Sequence, residues 1–150
     1  MVVRGLFGGN SNMDKFLELA QDQQQIIIVA KTADEQPTLS SVNRNSAITT
    51  LSSTTTDQSA TIEYMAKNGK KVKPKDLEKT VNPALTEQLT ASVAAGTFDS
   101  TYKEVMATQL AAYSKNLKSV YEQTGGQNGR ELLEKNYQNA QLLLQQLNTP

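Results

Sequence analysis

The chain has 150 residues, with 15 basic and 15 acidic side chains and neither cysteine nor histidine. This length suits a single domain with a buried core, and the zero net charge predicts no nucleic-acid partner. Disulfides, thiolate or imidazole metal sites, and Ser-His-Asp or Cys-His catalysis are excluded within this chain. We therefore predict a protein that is not an enzyme and that has no cofactor.

Residues 1–10 are short, apolar and glycine-rich, with Val2-Val3 followed by Arg4 and several glycines. One interpretation is a flexible N-terminal segment. The other is that Val2-Val3 ends a removed membrane anchor or signal helix, with Arg4 at the interface. Residues 11–150 are then a single helical-bundle domain, and a membrane tether would lie upstream of residue 1. The chain itself has no run of 18 apolar residues to span a bilayer.

The first helix is predicted to run from Ser11 or Asn12, both good N-caps, to about Ala33. Residues 26–30 are largely β-branched and would favour a strand by propensity. We predict a helix because the preceding sequence is helical in composition. A run that is apolar on every side indicates burial on two sides. The inward stripe is expected to contain Met13, Phe16, Leu17, Ala20, Ile27 and Ala30.

The second helix is predicted across residues 38–67, although 13 of the 24 residues from Thr38 to Thr61 are serine or threonine. Such residues compete with the helical backbone and would also suit a disordered linker. A helical phase of apolar residues favours the helix, with Asn68-Gly69 as its end. Its inner face is expected to hold Val42, Ile48, Leu51, Ile62, Met65 and Ala66, with Thr55 and Ser59 on the same side.

A lysine-rich connection follows at residues 67–79 and includes Lys70, Lys71 and Lys73. It is expected to be a solvated link, and a phosphate or an anionic membrane surface is the alternative partner. Pro74 is predicted to begin a short helical turn. Asn82-Pro83 then opens a short helix that ends at Gly96.

Two strongly periodic segments, Phe98–Thr124 and 129–147, are predicted to form an antiparallel hairpin through Gly125-Gly126. The apolar stripe of the first contains Phe98, Tyr102, Val105, Met106, Leu110, Tyr113, Leu117, Val120 and Tyr121. That of the second contains Leu133, Tyr137, Ala140, Leu144 and Leu147.

Candidate chemistry is limited to carboxylates and hydroxyls. Glutamates on separate helices are the ligand pattern of di-metal bundles, but that design also needs Glu-x-x-His, so we predict no metal site. Tyr102, Tyr113, Tyr121 and Tyr137 are expected at core positions with the hydroxyl reaching the surface, and a ligand cleft is the alternative. A cavity near Thr55, Ser59 and these tyrosines is the candidate ligand site. Surface acids are expected at Glu18, Glu63, Glu104, Glu131 and Glu134.

The order of elements resembles the ferritin-like four-helix bundles, especially bacterial extracytoplasmic ones. The matching features are Phe16-Leu17-Glu18-Leu19-Ala20-Gln21 in the first helix, a Lys/Pro connection, Gly96-Thr97-Phe98-Asp99 before a long helix, and a leucine-rich last helix. The metal ligands of that family have no counterparts here. The resemblance therefore implies a bundle without its metal on the cell-envelope side of a membrane.

We therefore expect an all-α, up-and-down bundle of four long helices plus one short helix. Its expected function is a non-catalytic interaction or scaffold domain that binds a protein partner and is tethered at the bacterial cell envelope. A small-ligand carrier or a degenerate metal-binding bundle is the alternative. The expected location is extracytoplasmic or at the cell surface, with the cytoplasm as alternative, and oligomers are compatible with the sequence.

Overall fold

A computed structural model describes the backbone of residues 2–148 and the side chains of residues 12–148. The regular structure of this part is entirely helical, which confirms the all-α prediction. No described helix combines the length and hydropathy that crossing a membrane requires. The six helices are α1 (Val2–Asp34), α2 (Ser41–Lys67), α3 (Pro74–Glu78), α4 (Pro83–Ala94), α5 (Phe98–Gln123) and α6 (Gln127–Asn148).

The first helix begins at Val2 and not at the predicted caps Ser11 or Asn12. The glycines of this segment weaken a helix by about 1 kcal/mol each but do not break it, and no proline interrupts it. The side chains of residues 2–11 lie outside the described part of the chain. Whether residues 1–10 form a flexible segment after a removed anchor therefore stays a prediction.

The predicted helix ends are confirmed at three places. Gly69, just after the α2 C-cap Asn68, has φ +89°, and Gly96, after α4, has φ +73°. Both values fall in the left-handed region that glycine adopts most readily. At the start of α4, the Asn82 side chain accepts a hydrogen bond from the Ala84 amide, with Pro83 in the first turn.

Two contacts fix the directions of the long helices. The Ser40 amide donates a 3.0 Å hydrogen bond to Asp99 Oδ1, so α2 and α5 begin at the same end. At the other end, Asn12 Nδ2 donates to Thr124 Oγ1 at 3.3 Å, so α1 runs opposite to α5. Helices α2 and α5 are therefore parallel. This differs from the predicted up-and-down order, in which consecutive long helices alternate in direction.

The connection between α2 and α5 returns the chain along α1 to the opposite end. Gln21 Nε2 donates to the Asp76 carbonyl at 2.8 Å, and the Asn82 amide donates to Gln25 Oε1 at 2.7 Å. Helix α1 consequently contacts α2 and α5 and also α3 and α4. Within residues 26–30, Ile26, Val29 and Ala30 share one face and are fully buried, whereas Ile27, expected in the inward stripe, and Ile28 are half-buried.

The predicted stripes of the last two helices form much of the core. All nine stripe residues of α5 are buried except Tyr121, which is half-buried. In α6, Leu133, Ala140 and Leu147 are buried. The hairpin through Gly125-Gly126 is confirmed, and α6 packs against both α5 and α2.

Candidate functional site

The inner face of α2 is polar, contrary to its predicted apolar phase. Val42 and Ile48, expected inside, are 55% and 48% exposed. Only Ala47 and Met65 of α2 are buried apolar residues. The other buried positions are Asn43, Ser46, Thr50, Thr54, Asp57, Gln58 and Thr61. The prediction was wrong because apolar residues were used to locate the core face, whereas α2 turns hydroxyl and amide groups inward.

These polar groups meet partners from the other long helices in a layer across the core. Gln23 Nε2 donates to Tyr113 Oη at 2.6 Å and to Thr61 Oγ1 at 3.2 Å. Asn136 Nδ2 also donates to Thr61 Oγ1, at 3.2 Å. The Thr61 hydroxyl donates to the Asp57 carbonyl one turn earlier, a bond that serine and threonine side chains can form within a helix. We call Gln23, Thr61, Tyr113 and Asn136 the polar layer.

The hydrogen bonds of the polar layer support the fold, and its groups are poorly suited to transferring protons. Burial raises the pKa of the Tyr113 hydroxyl, so this group stays neutral at physiological pH. Its other three members have no titratable side chain. The four side chains come from α1, α2, α5 and α6, and their hydrogen bonds fix the axial positions of these helices relative to one another.

A buried carboxylate lies one turn from the polar layer, between α2 and α6. Asp57 is only 4% exposed, and Asn139 Nδ2 donates to its two carboxylate oxygens at 2.9 and 3.1 Å. Burial raises the pKa of Asp57 to about 6, and the Asn139 hydrogen bond and the charge of Lys135 oppose this shift only in part. At neutral pH this carboxylate is therefore mostly ionised.

Asp57 lines a surface groove of about 440 Å³. The groove is rich in hydroxyl groups, and Asp57 and Lys135 supply one negative and one positive charge. We call it the α2–α6 groove, and its lining residues are Ile48, Thr49, Ser52, Ser53, Thr56, Asp57, Lys135 and Asn139.

A second groove, of about 490 Å³, lies on the α5–α6 hairpin and is mostly apolar. Leu117 and Leu133 are buried beneath it, and Tyr121 and Tyr137 are half-buried. The Arg130 guanidinium lies over the Tyr121 ring, 4.7 Å from its centroid. We call this the outer groove, and its lining residues are Leu117, Lys118, Tyr121, Leu133, Glu134 and Tyr137.

The structure does not bring the predicted ligand residues together. Thr55 and Ser59 are exposed on α2. Tyr102 and Tyr113 are buried, where Tyr102 Oη lies 3.1 Å from Ser46 Oγ and Tyr113 accepts from Gln23. The two hydroxyl side chains therefore face solvent, whereas the two tyrosines lie in the core, where Tyr102 contacts the inner face of α2.

The three predicted surface lysines lie in the connection after α2. Lys71 and Lys73 are exposed. Lys70 is half-buried, and its ammonium lies 3.3 Å from Asp14 Oδ1. The pairing of Lys70 leaves Lys71 and Lys73 as the accessible charges of the three.

The glutamates considered as metal ligands, Glu18, Glu63, Glu104, Glu131 and Glu134, are all exposed. Among the described residues, no group of three or more acidic side chains lies close enough together to hold a metal ion.

Comparison of the chain with protein-family models, with curated proteins and with solved structures gives no match.

Sequence reasoning missed Asp57, Lys135 and Asn139. Asp57 lies in the serine- and threonine-rich stretch, where no apolar period marks the inner face. A usable signal was the spacing of Thr50, Thr54, Asp57 and Thr61, which follow one another at three or four residues. Tyr121 and Tyr137 were expected at core positions, with a ligand cleft as the alternative, and their half-burial beside a groove depends on how α5 and α6 pack.

Proposed function

We propose that this protein is a non-catalytic interaction domain, a helical scaffold that binds a protein partner along the outer groove. The observation that carries the proposal is an apolar groove with two half-buried tyrosines on the outside of the α5–α6 hairpin. Tyrosine is enriched where protein surfaces meet, because it offers a large apolar area and a hydroxyl with few rotatable bonds. The hairpin thus supplies both the core of the domain and its binding surface.

The partner segment that best suits this groove is an amphipathic helix. Leu117 and Leu133 form an apolar floor, and Lys118 and Glu134 carry opposite charges beside it. An apolar stripe on the partner would contact the leucines and tyrosines, while an acidic and a basic residue would pair with Lys118 and Glu134. The buried contacts would supply most of the affinity, and the exposed charges would fix orientation.

The connectivity supports the resemblance to ferritin-like bundles. Such folds characteristically have one long crossover connection, and here α3 and α4 connect the parallel helices α2 and α5 in that manner. We propose that the chain is a bundle of this type that functions in recognition without a bound metal.

We further propose an extracytoplasmic or cell-surface location at a bacterial envelope, with a tether upstream of residue 1. The apolar composition of residues 1–10 and the resemblance support this proposal, and a cytoplasmic location is the alternative. Fractionation of cells expressing the complete gene tests it. Recovery of the protein in the soluble cytoplasmic fraction alone would contradict the tether.

Site-specific photocrosslinking tests the docking proposal. A photoreactive phenylalanine analogue replaces Tyr137, which lines the outer groove, or the neighbouring exposed residue Gln138, which does not. Irradiation of cells is expected to give a discrete protein adduct at position 137 and none at position 138. Equal labelling at both positions, or none at position 137, would contradict the outer groove as the binding surface.

A small-ligand carrier is the second candidate, and the α2–α6 groove favours it. This groove holds a buried carboxylate, Asp57, beside several hydroxyl groups. A degenerate metal-binding bundle belongs to the same alternative. Metal analysis of the purified protein tests whether the protein binds a metal. Stoichiometric iron, manganese or zinc would favour the metal-binding version over the scaffold.

A further inference from the structure

The α2–α6 groove presents one negative and one positive group that face the same space without pairing. Asp57 is on α2 and Lys135 is on α6, and both line the groove. They are near enough for Lys135 to influence the ionisation of Asp57. Among the described residues, however, Lys135 has no ion-pair or hydrogen-bond partner. Two opposite charges that line one groove without pairing suit a ligand that carries a positive and a negative group.

We infer that the α2–α6 groove binds a free α-amino acid with an aliphatic side chain, whose ammonium pairs with Asp57 and whose carboxylate pairs with Lys135. This inference rests on the second candidate function, the small-ligand carrier, and is independent of protein docking in the outer groove.

Asp57 suits an ammonium group because its hydrogen-bonding capacity is only partly used. A carboxylate offers about four lone-pair sites, and here Asn139 Nδ2 is its one side-chain donor. The carboxylate is almost fully buried, which strengthens its attraction for a cation that reaches it. Asn139 also holds the carboxylate in place, so little ordering is needed when a ligand binds.

The charge of Lys135 makes the groove favour amino acids over simple amines and metal ions as ligands. Its ammonium would repel a ligand that carries only positive charge and would attract a ligand carboxylate. A divalent cation would find one carboxylate in this groove, whereas such ions are usually bound by several charged oxygen ligands.

The remaining lining defines the side-chain preference. Ile48 is 48% exposed at the groove and offers an apolar contact, while Ser52 and Thr56 offer hydroxyl groups to the ligand carboxylate. No aromatic residue lines the groove, so the stacking surface that commonly supports sugar binding is missing from it. An aliphatic side chain beside Ile48 is therefore favoured over a sugar.

An NMR titration of the ¹⁵N-labelled full chain at pH 7 tests the inference. The probes are L-leucine, L-leucinamide, which lacks the carboxylate, and 4-methylpentanoate, which lacks the amine. Leucine is expected to give saturable shifts at residues 48–57 and 135–139, and both analogues are expected to bind at least about tenfold more weakly. Binding of leucine should also weaken about tenfold between pH 7 and pH 5, because the pKa of Asp57 is about 6.

Matched variants separate binding from folding. Asp57→Asn and Lys135→Gln are each expected to weaken leucine binding at least about tenfold. Asp22→Asn is the control. Asp22 is partly buried and, like Asp57, accepts from an asparagine, Asn116 Nδ2 at 2.8 Å, but it does not line the groove. This variant should leave the affinity unchanged. Lys135 is exposed, so Lys135→Gln should not disturb folding.

Three results would overturn the inference, each in a different way. If leucinamide or 4-methylpentanoate binds as tightly as leucine, the groove binds a small ligand but the amino-acid class is wrong. If none of the three compounds shifts the groove resonances at millimolar concentration, both the inference and the carrier function fail. Unchanged leucine affinity in Asp57→Asn would also exclude the assigned role of the carboxylate.

Discussion

The Gln23 side-chain amide donates a 2.6 Å hydrogen bond to the Tyr113 hydroxyl in the middle of the core, where both side chains are almost completely buried. Gln23 is on α1 and Tyr113 is on α5, so the bond joins two long helices of the core. A buried donor that loses its partner cannot turn to water, which makes this pair a sensitive point of the fold.

Tyr113→Phe is expected to lower the free energy of unfolding by about 1–2 kcal/mol, because it removes one of the acceptors of Gln23 Nε2 without leaving a large cavity. Urea denaturation followed by circular dichroism measures this change. Tyr121→Phe is the matched control, since Tyr121 is half-buried on the same helix and its hydroxyl forms no described hydrogen bond. Equal effects of the two substitutions would contradict a special contribution of the Gln23–Tyr113 bond.

Gly129 in α6 packs against the side chains of Tyr64 and Thr124. A Cβ atom at this position would lie 2.5 Å from Tyr64 Oη and 2.9 Å from Thr124 Cγ2. Gly129→Ala is therefore expected to destabilise the protein by about 1–2 kcal/mol, although alanine favours helix formation. Gly126→Ala, where a Cβ would have open space, should be close to neutral.

The double variant Gly129→Ala with Tyr64→Phe provides a further check on Gly129. Removing the Tyr64 hydroxyl relieves the shorter of the two contacts, so the double variant should regain part of the lost stability. Thermal unfolding of the natural sequence, Gly129→Ala, Tyr64→Phe and the double variant measures this difference in stability. A Gly129→Ala protein as stable as Gly126→Ala would show that the neighbouring side chains adjust without cost.

Asp57 makes the stability depend on pH. Its pKa is raised to about 6 in the folded protein, above an ordinary value near 4, so the folded state binds this proton more tightly than the unfolded state. This tighter proton binding adds to the free energy of unfolding. The added stability is fully present below about pH 4 and is lost as the pH rises through 6. The free-energy difference that corresponds to a pKa of about 6 in place of one near 4 is about 3 kcal/mol. Lys135 and Tyr113 are the other titratable groups that interact with Asp57.

Asp57→Asn should remove this dependence, because asparagine stays neutral and can still accept from Asn139. The variant is expected to be more stable than the natural sequence at pH 7, by up to about 3 kcal/mol, with the difference shrinking towards pH 4. Denaturant titrations across this range measure it. A difference between the two proteins that does not change with pH would show that Asp57 titrates near its ordinary pKa.

Helix α2 is expected to open locally before α5. It contributes two buried apolar residues, Ala47 and Met65, whereas the buried residues of α5 are nearly all apolar. Apolar burial supplies most of the free energy that resists local opening. Hydrogen exchange monitored by mass spectrometry should therefore show faster exchange for peptides within residues 41–67 than for those within 98–123. Equal protection would indicate that the hydrogen bonds of the polar layer compensate for the missing apolar area.

The α5–α6 hairpin could be predicted almost completely from sequence. Its apolar residues recur every three or four positions, and eight of the nine stripe residues of α5 are buried. The chain reversal at Gly125-Gly126 was predicted correctly, although neither glycine has a positive φ. The glycine with close side-chain neighbours is instead Gly129. Such an environment depends on Tyr64, which is 65 residues away and cannot be inferred from local pattern.

Helix α2 shows where the same reasoning failed. Its helical state was predicted correctly from residual periodicity and the Asn68-Gly69 end, but its orientation was wrong. The inward side chains of Asp57 and Thr61 are stabilised by hydrogen bonds from Asn139 and Asn136 on α6. A hydroxyl or carboxylate carries no sign of burial until its partner is known, because the same group is equally suited to water.

The sequence by itself determined the helical class, the ends of most helices and the core faces of α5 and α6, because these depend on local backbone preferences and on apolar periodicity. Only the tertiary structure decided the parallel arrangement of α2 and α5, the polar layer and the two grooves. These features arise from contacts between residues far apart in the chain, such as Ser40 with Asp99 and Asp57 with Asn139. Their energies come from pairing polar groups away from water, and that pairing exists only after the helices have packed.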